Sequence, residues 1–393
     1  MTNRRAHGDG GIYPQGKDTF RLRYRIGKKR FSKTFRGTLK EAKVELRALL
    51  RSGDTGEHVT PDKITLAIWA TQWIEAGAPG RKREKVGARA IERYDQLLRT
   101  HVLPTLGQHK LQQIDSTDID KLYVALEDKI APRTARHVHS VLNACLGAAV
   151  RTKKLAVSPM ASITNTPTAG ESDHGIALDE QELRKLVLGF EGSALFGFVS
   201  VAAFTGARRN EILALRWSDL DPTNKTLRIE RALEETKKHG IRIKGPKKES
   251  HKRTITIDED LLALLLAERE RHLRLFAGIP DGVAVDLGLI KLPEGALMFP
   301  NPPTLLEPRN PRATTKLFAR KARKLGFKKL RLHDLRGTHE TLLLDAGVPV
   351  HTVAARCGHD PATLLRSYAK RTKKADTSAA SVIGNISRTI LGK

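Results

Sequence analysis

The sequence predicts an α+β chain of several domains. A small N-terminal β-sheet plus helix comes first, then an all-helical segment, then a mainly helical region with a small antiparallel β-sheet. Three observations predict this order. Residues 20–26, Phe-Arg-Leu-Arg-Tyr-Arg-Ile, alternate apolar and basic side chains with the two-residue period of a half-buried strand. Residues 63–157 carry apolar side chains at helical spacing. Beyond residue 176, long helical patterns are interrupted by three short strand patterns at 226–231, 240–244 and 253–258. The boundaries read from these shifts are 1–60, 63–157, a linker over 158–175, 176–377, and a C-terminal tail over 378–393.

In the first unit, Gly27-Lys-Lys is a turn from the strand at 20–26 into a second strand at 30–35. Thr38-Leu-Lys-Glu41 is a capping box opening a helix whose Leu39, Ala42, Leu46 and Leu49 share one face. Residues 1–60 hold 15 basic residues against 6 acidic ones, a net +9. One face of the sheet packs on the helix, and the other shows Arg21, Arg23 and Arg25. A solvated face and a nucleic-acid contact both fit that row.

The helical segment opens with Ile68, Trp69 and Trp73 and continues with Ile91, Tyr94, Leu97 and Leu98. Pro104 and Gly107 break the pattern, which resumes at 118–126 and in a last helix with Val138, Val141, Leu142, Cys145 and Ala148. Arg81, Lys82 and Arg83, with Lys85, form a basic run in a loop. They are solvated surface or contacts to backbone phosphate, which position a protein without reading sequence. Residues 158–175 are rich in Pro, Ser, Thr and Gly, the composition of a linker.

From residue 176 onward, Asp179-Glu-Gln-Glu182 starts a helix, and the apolar stretch 195–204 predicts a buried one stopped by Thr205-Gly206. Arg208 opens the next helix, 210–217, whose N-terminus would add a favourable field for a phosphate. Lys247 and Lys248 lie between the second and third strand patterns. A helix over 260–276, a Gly- and Pro-rich insertion over 278–295 and a basic helix over 312–325 follow. His333 and Arg336 fall one helical turn apart, so both can address one phosphate. His339 reads as structural, and His359 follows Cys357-Gly358 nine residues before Tyr368. Tyr13, Tyr24, Tyr94 and Tyr123 read as core or surface aromatics.

Composition narrows the function. The chain has 70 Lys+Arg against 43 Asp+Glu, a net charge of +27, with a pI near 10.2. Such a balance calls for a polyanion partner. No apolar run of membrane-spanning length or leader-like start is present, so the chain reads as soluble, cytoplasmic and without a membrane partner. Two cysteines exclude a disulfide framework and give no zinc spacing. Arginine forks stay charged and can each grip two phosphate oxygens. A tyrosine hydroxyl, with a pKa of roughly 10, is a poor nucleophile until neighbours stabilise its anion. Two arginines, two histidines and a tyrosine therefore suit attack on a phosphodiester, needing no metal or other cofactor.

In order and spacing, Thr205-Gly-Ala-Arg208, His333-Asp-Leu-Arg336, Gly358-His359 and Tyr368 resemble the tyrosine recombinase family, the phage integrases in particular. The resemblance covers the chain and is densest from residue 175 to 368. Cys357 stands where the family pattern has leucine. The resemblance selects Arg208 over Arg209, and its Pro-Lys-x-x-Ser-x-x-Arg pattern selects Lys247, with Lys248 as alternative, as the general acid in a β-hairpin. It implies that Tyr368 is the nucleophile, that Arg208 and Arg336 hold the phosphate, that His333 moves the tyrosine proton, and that His359 hydrogen-bonds the phosphate. The product would be a 3′-phosphotyrosyl link, and two rounds would pass through a Holliday junction. The first unit resembles an arm-type DNA-binding domain and the helical segment a core-binding domain. The implied partners are double-stranded DNA attachment sites, a homotetramer, a directionality factor and a host DNA-bending protein in a bacterial cytoplasm. The tail's Val382, Ile383, Ile386, Ile390 and Leu391 would dock on a neighbouring protomer or fold back. Type IB topoisomerase-like relaxation and a non-catalytic DNA-binding regulator are the alternatives.

Overall fold

The computed structural model describes residues 10–54, 59–60, 62–80, 86–170, 175–245, 252–368, 383 and 388. The chain divides into two compact units, residues 1–171 and 172–393. It is a mixed α+β structure with small antiparallel sheets. Among the described residues no helix is long and apolar enough to cross a membrane.

In the first unit, β1 (Gly11–Gly16), β2 (Thr19–Ile26) and β3 (Lys29–Arg36) form one antiparallel sheet in the order β1-β2-β3. The Ile26–Lys29 pair closes a two-residue turn in which Gly27 takes a φ of 55°, a left-handed value open to glycine. Alternation does not announce β1, because Gly11, Pro14 and Gly16 leave only Ile12 and Tyr13 to signal it. Helix α1 (Leu39–Asp54) opens on the predicted box: Thr38 N–H donates to Glu41 Oε2 at 2.8 Å, and Glu41 N–H to Thr38 Oγ1 at 3.3 Å. Leu22, Tyr24, Ala42 and Leu46 make the buried core. Leu39 was expected on that face but is half exposed, since it sits in the first turn at the stripe's edge. Arg21, Arg23 and Arg25 all lie exposed on the opposite face, and Arg23 stacks 4.9 Å above the Tyr13 ring.

Helices α2 (Leu66–Glu75), α3 (Ala88–Leu97), α4 (Leu103–Leu106), α5 (Ser116–Glu127) and α6 (Pro132–Arg151) enclose a separate core that includes Trp69, Trp73, Leu98, Ile119, Leu142 and Cys145. Ile68 points outward, half exposed, because only the Trp69–Trp73 edge of α2 meets the core. The expected break at Pro104 is milder than its residues suggest. A π turn over Leu98–Val102, where Leu103 N–H reaches back to the Leu98 carbonyl, carries the chain from α3 into α4 and absorbs the missing proline donor. The stretch read as a linker is also fastened in its first half. Met160 is buried, and Asp120 on α5 accepts from Asn165 N–H at 2.9 Å and the Thr164 hydroxyl at 2.8 Å. Side-chain partners, which composition does not reveal, hold it in place.

In the second unit, α7 (Glu180–Gly189) opens on the Asp179–Glu182 box, and α8 (Phe196–Thr205) is buried nearly all round. Helix α9 (Arg209–Ile212) is one turn long, not the helix expected over 210–217. Strands β4 (Leu220–Asp221), β5 (Thr226–Ile229) and β8 (Arg253–Thr256) form one sheet, while β6 (Ala232–Thr236) and β7 (Gly240–Lys244) form another. The second and third predicted strands therefore do not pair with each other; β7 takes the unpredicted β6, and β8 takes β5. Lys247, expected in a β-hairpin, falls between β7 and β8 and lies outside the described residues. Helices α10 (Glu259–Ala277), α11 (Pro311–Lys324), α12 (Asp334–Asp345), α13 (Val350–Cys357) and α14 (Pro361–Tyr368) complete the unit. Gly175, at φ 73°, lies so close to α12 that a Cβ would stand 2.6 Å from Asp334 Oδ1.

Both thiols are buried, and burial pushes Cys145 up to about 12 and Cys357 up to about 11. A thiol-exchange reagent at pH 8 is expected to leave both unmodified in the native chain and to titrate two thiols in denaturant. Fast native reaction at either site would contradict this packing.

Candidate active site

An α-helix leaves its last carbonyls without partners inside the helix, and its C-terminal end carries partial negative charge. Helix α13 ends at Gly358, with φ 66°. Three successive carbonyls there each accept from one arginine, and the three arginines come from different elements. Arg253 Nε, on β8, donates to the Arg356 carbonyl at 2.8 Å. Arg336 Nη2, on α12, donates to the Cys357 carbonyl at 2.6 Å. Arg208 Nη2, just before α9, donates to the Gly358 carbonyl at 2.8 Å. Adjacent carbonyls thus set the Arg208 and Arg336 guanidinium groups side by side.

Arg336 is 2% exposed, and its Nη1 donates to the Gly206 carbonyl at 2.6 Å. Burial first, then the charge of Arg208, lowers it to about 10, so it remains a cation at neutral pH. Gly206 closes α8 at φ 64°, and a Cβ there would meet His339 Cδ2 at 2.7 Å. That contact explains the Thr205-Gly206 pair. His339 is a core residue whose Nδ1 lies 3.0 Å from the Ala203 carbonyl and whose Nε2 accepts from Arg356. Burial, and then Arg356, lowers it to about 4.

Glu211 ties the other two arginines together. Its Oε1 accepts from Arg208 Nη1 at 2.8 Å, and its Oε2 accepts from Arg253 Nη2 at 2.7 Å and Arg208 N–H at 2.9 Å. Burial alone would raise its pKa; the Arg253 hydrogen bond and charge, with those of Arg208, outweigh this and hold it at about 2. Because α9 is one turn long, this carboxylate and not a helix field organises Arg208. Arg208 keeps 38% of its side chain exposed, so it is the accessible member of the pair.

The remaining residues are placed unevenly. His359 joins the cluster, with Nε2 2.7 Å from Glu340 Oε1. His333, at the start of α12, is exposed, whereas Arg336 one turn later is buried. Tyr368 is not held by the arginines; its hydroxyl donates to Asp345 Oδ1 at 2.8 Å. Asp345 lies nine residues after Arg336 on α12, which is about 13 Å of helix rise. Lys247, Lys248, Arg81, Lys82 and Arg83 lie outside the described residues, as does nearly all of the tail. Glu211, Arg253 and Glu340 also belong to the cluster, although the sequence motifs do not include them as site residues. Glu211 and Glu340 were legible as acids three and four residues after an arginine, and Arg253 only as the end of a basic stretch.

Glu211→Gln removes a carboxylate whose folded pKa is depressed. Its stabilisation is present above the unfolded carboxylate range and is lost as pH falls from about 4.5 toward about 2. The wild type is expected to exceed the variant by about 3 kcal/mol at neutral pH, with the gap narrowing across that window. Denaturant titrations between pH 2 and 7 measure it, and a gap that does not depend on pH would refute the ion-pair account.

Comparison with known proteins gives the same reading. Residues 178–375 match the phage integrase family, and residues 67–166 match the phage integrase central domain. An integrase of Streptomyces ambofaciens is 29% identical over 223 residues, covering 55% of this chain and 56% of that protein. A tyrosine recombinase XerC-like protein of Caldanaerobacter subterraneus subsp. tengcongensis is 24% identical over 394 residues, 94% of this chain and 97% of that one. The fold is similar to that of the Tn1549 transposon integrase, solved in complex with transposon right end DNA, at a TM-score of 0.64 and 17% identity, covering 82% of this chain and 100% of that chain. The chain therefore belongs to the phage integrase family and is a tyrosine site-specific recombinase.

Proposed function

We propose that Tyr368 of this recombinase attacks a scissile phosphate held by Arg208 and Arg336, forming a 3′-phosphotyrosyl link and releasing a 5′ hydroxyl. The observation that carries this reading is the pair of guanidinium groups on adjacent α13 carbonyls. Two fixed cations aimed at one point offset the charge that builds on a phosphate under attack. His333, exposed at the start of α12, takes the tyrosine proton, and His359 bonds the phosphate. Lys247, or Lys248 in its place, protonates the leaving oxygen. The covalent link conserves the bond energy, so the partner strand's 5′ hydroxyl can reverse the attack. Two rounds make and resolve a Holliday junction. Because two duplexes each need two cleavages, four protomers assemble on the DNA.

In this reading residues 63–157 and 176–377 grip the crossover site, while residues 1–60 bind flanking arm sites. The exposed row of Arg21, Arg23 and Arg25 supports the last assignment, since three parallel cations on one sheet face fit a DNA groove. A directionality factor and a host DNA-bending protein would join the complex in a bacterial cytoplasm.

A nicked core-site duplex that traps the covalent complex tests the chemistry. Tyr368→Phe is expected to abolish the trapped complex, and Arg208→Ala or Arg336→Lys to slow its formation by at least about 100-fold. A loss below tenfold at either arginine would put the phosphate clamp elsewhere. Removing residues 1–60 is expected to spare this core-site cleavage and to abolish integration between full attachment sites, scored by junction formation in cells. Unchanged integration would overturn the arm-site assignment.

A further inference from the structure

Arg336 and His359 share a neighbour that the recognition motifs do not include. Glu340 lies one helical turn beyond Arg336 on α12, with its side chain 3% exposed. Its Oε1 is 3.1 Å from Arg336 Nε and 2.7 Å from His359 Nε2. The same histidine nitrogen is 3.0 Å from Arg336 Nε. An arginine Nε can only donate and a carboxylate can only accept, so the histidine decides the arrangement. If His359 Nε2 accepted from Arg336, its lone pair would face a carboxylate oxygen at 2.7 Å. If it donates instead, Glu340 accepts from the ring and stays ion-paired with the Arg336 guanidinium, so the closest contact of the three joins a donor to an acceptor. Nδ1 then carries the ring's remaining lone pair and has no hydrogen-bond partner among the described residues.

The same arrangement shapes the phosphate clamp. Arg336 Nε is 3.0 Å from His359 Nε2 and ion-paired with Glu340 Oε1 at 3.1 Å, while one Nη1 proton goes to the Gly206 carbonyl and one Nη2 proton to the Cys357 carbonyl. One N–H on each terminal nitrogen remains, which is the forked pair that grips two phosphate oxygens.

We propose that Glu340 is a positioning residue of the reaction, tying the Arg336 guanidinium and the His359 ring into one unit and fixing His359 with its proton on Nε2. Nδ1 is then the nitrogen offered to the reacting groups. A neutral ring so held receives a proton there, and it gives a hydrogen bond to a phosphate oxygen only once it carries both protons. The acid–imidazole pair orients the ring as the buried carboxylate does in hydrolytic triads. This inference rests on the reading of Arg336 and His359 as phosphate ligands.

Two variants of the full chain test it. Glu340→Met keeps the volume and removes the acceptor, so Arg336 Nε–H is left facing His359 Nε2, and the ring proton moves to Nδ1. Glu340→Gln keeps an acceptor oxygen. Ring signals from chain labelled with ¹⁵N-histidine, with His359 assigned by its loss in His359→Gln, are expected to show Nε2 protonated in the wild type and in Glu340→Gln. They should show the opposite in Glu340→Met. Trapping of the covalent complex should slow by about 100-fold in Glu340→Met and stay within about tenfold in Glu340→Gln, with affinity for a core-site duplex unchanged in both. Wild-type His359 protonated on Nδ1 would overturn the proposal. So would wild-type cleavage by Glu340→Met, or a 100-fold loss in Glu340→Gln with its ring proton still on Nε2. The glutamine variant and the wild-type spectrum decide the matter even if the methionine variant does not fold. If the covalent complex persists in Tyr368→Phe, the reading of the site has failed. If it depends on Tyr368 and Glu340→Met cleaves normally, only the role of Glu340 has.

Discussion

The C-terminal end of α13 is the constraint on which the site depends. A helix end that stopped in water would satisfy its last carbonyls with solvent. Here the Arg356, Cys357 and Gly358 carbonyls accept from Arg253, Arg336 and Arg208 in turn. Side chains from β8, from α12 and from the α8–α9 junction are thereby registered against one another by a rigid backbone spacing. Long side chains lose rotamer entropy when fixed, and this loss is met as the chain folds, before any substrate arrives. Gly358 is part of the device. At φ 66° it turns the chain so that its own carbonyl extends the row, and a Cβ there would meet Arg253 Nη1 at 3.1 Å.

Crowding cations in a buried place requires counter-charge, and the two carboxylates divide that task. Glu211 bridges Arg208 and Arg253, while Glu340 bridges Arg336 and His359. Removing one partner of such a buried pair leaves an uncompensated charge, so the carboxylates bear on folding as well as on the chemistry. Arg208 is partly exposed and Arg336 is not. On the proposed reading, Arg208 would meet an incoming phosphate as an accessible arm and Arg336 as part of the wall.

Local signals made much of this legible. Period-two alternation placed Leu22 and Tyr24 inward and Arg21, Arg23 and Arg25 outward on β2. The Thr38–Glu41 and Asp179–Glu182 pairs marked helix starts that carry the reciprocal hydrogen bonds they suggest. Nonlocal pairing was not legible. β6 and β7 are five-residue strands with mixed burial, and nothing in their sequence says that β7 pairs with β6 while β8 pairs with β5. Arg253 and Glu340 escaped for a related reason. A basic residue at a strand start and an acid inside a helix look like surface until the fold buries them against partners 103 and 19 residues away.

Tyr368 shows what spacing along a chain can and cannot say. Its position nine residues after His359 identifies it, yet its hydroxyl donates to Asp345, at the far end of α12 from the arginines. On the proposed reading, attack would bring the Tyr368 hydroxyl from Asp345 toward the arginines. Glycine at the α13–α14 junction, with its left-handed φ, is a natural pivot for such a movement. A hydrogen bond to a carboxylate is stronger than one between neutral groups, and this one lies on an exposed rim. The arginine clamp, in contrast, is fixed by buried bonds that would have to break together. The two halves of the proposed site differ in kind: arginines fixed by several bonds to backbone and carboxylates, and a tyrosine on a short helix whose hydroxyl bonds to Asp345.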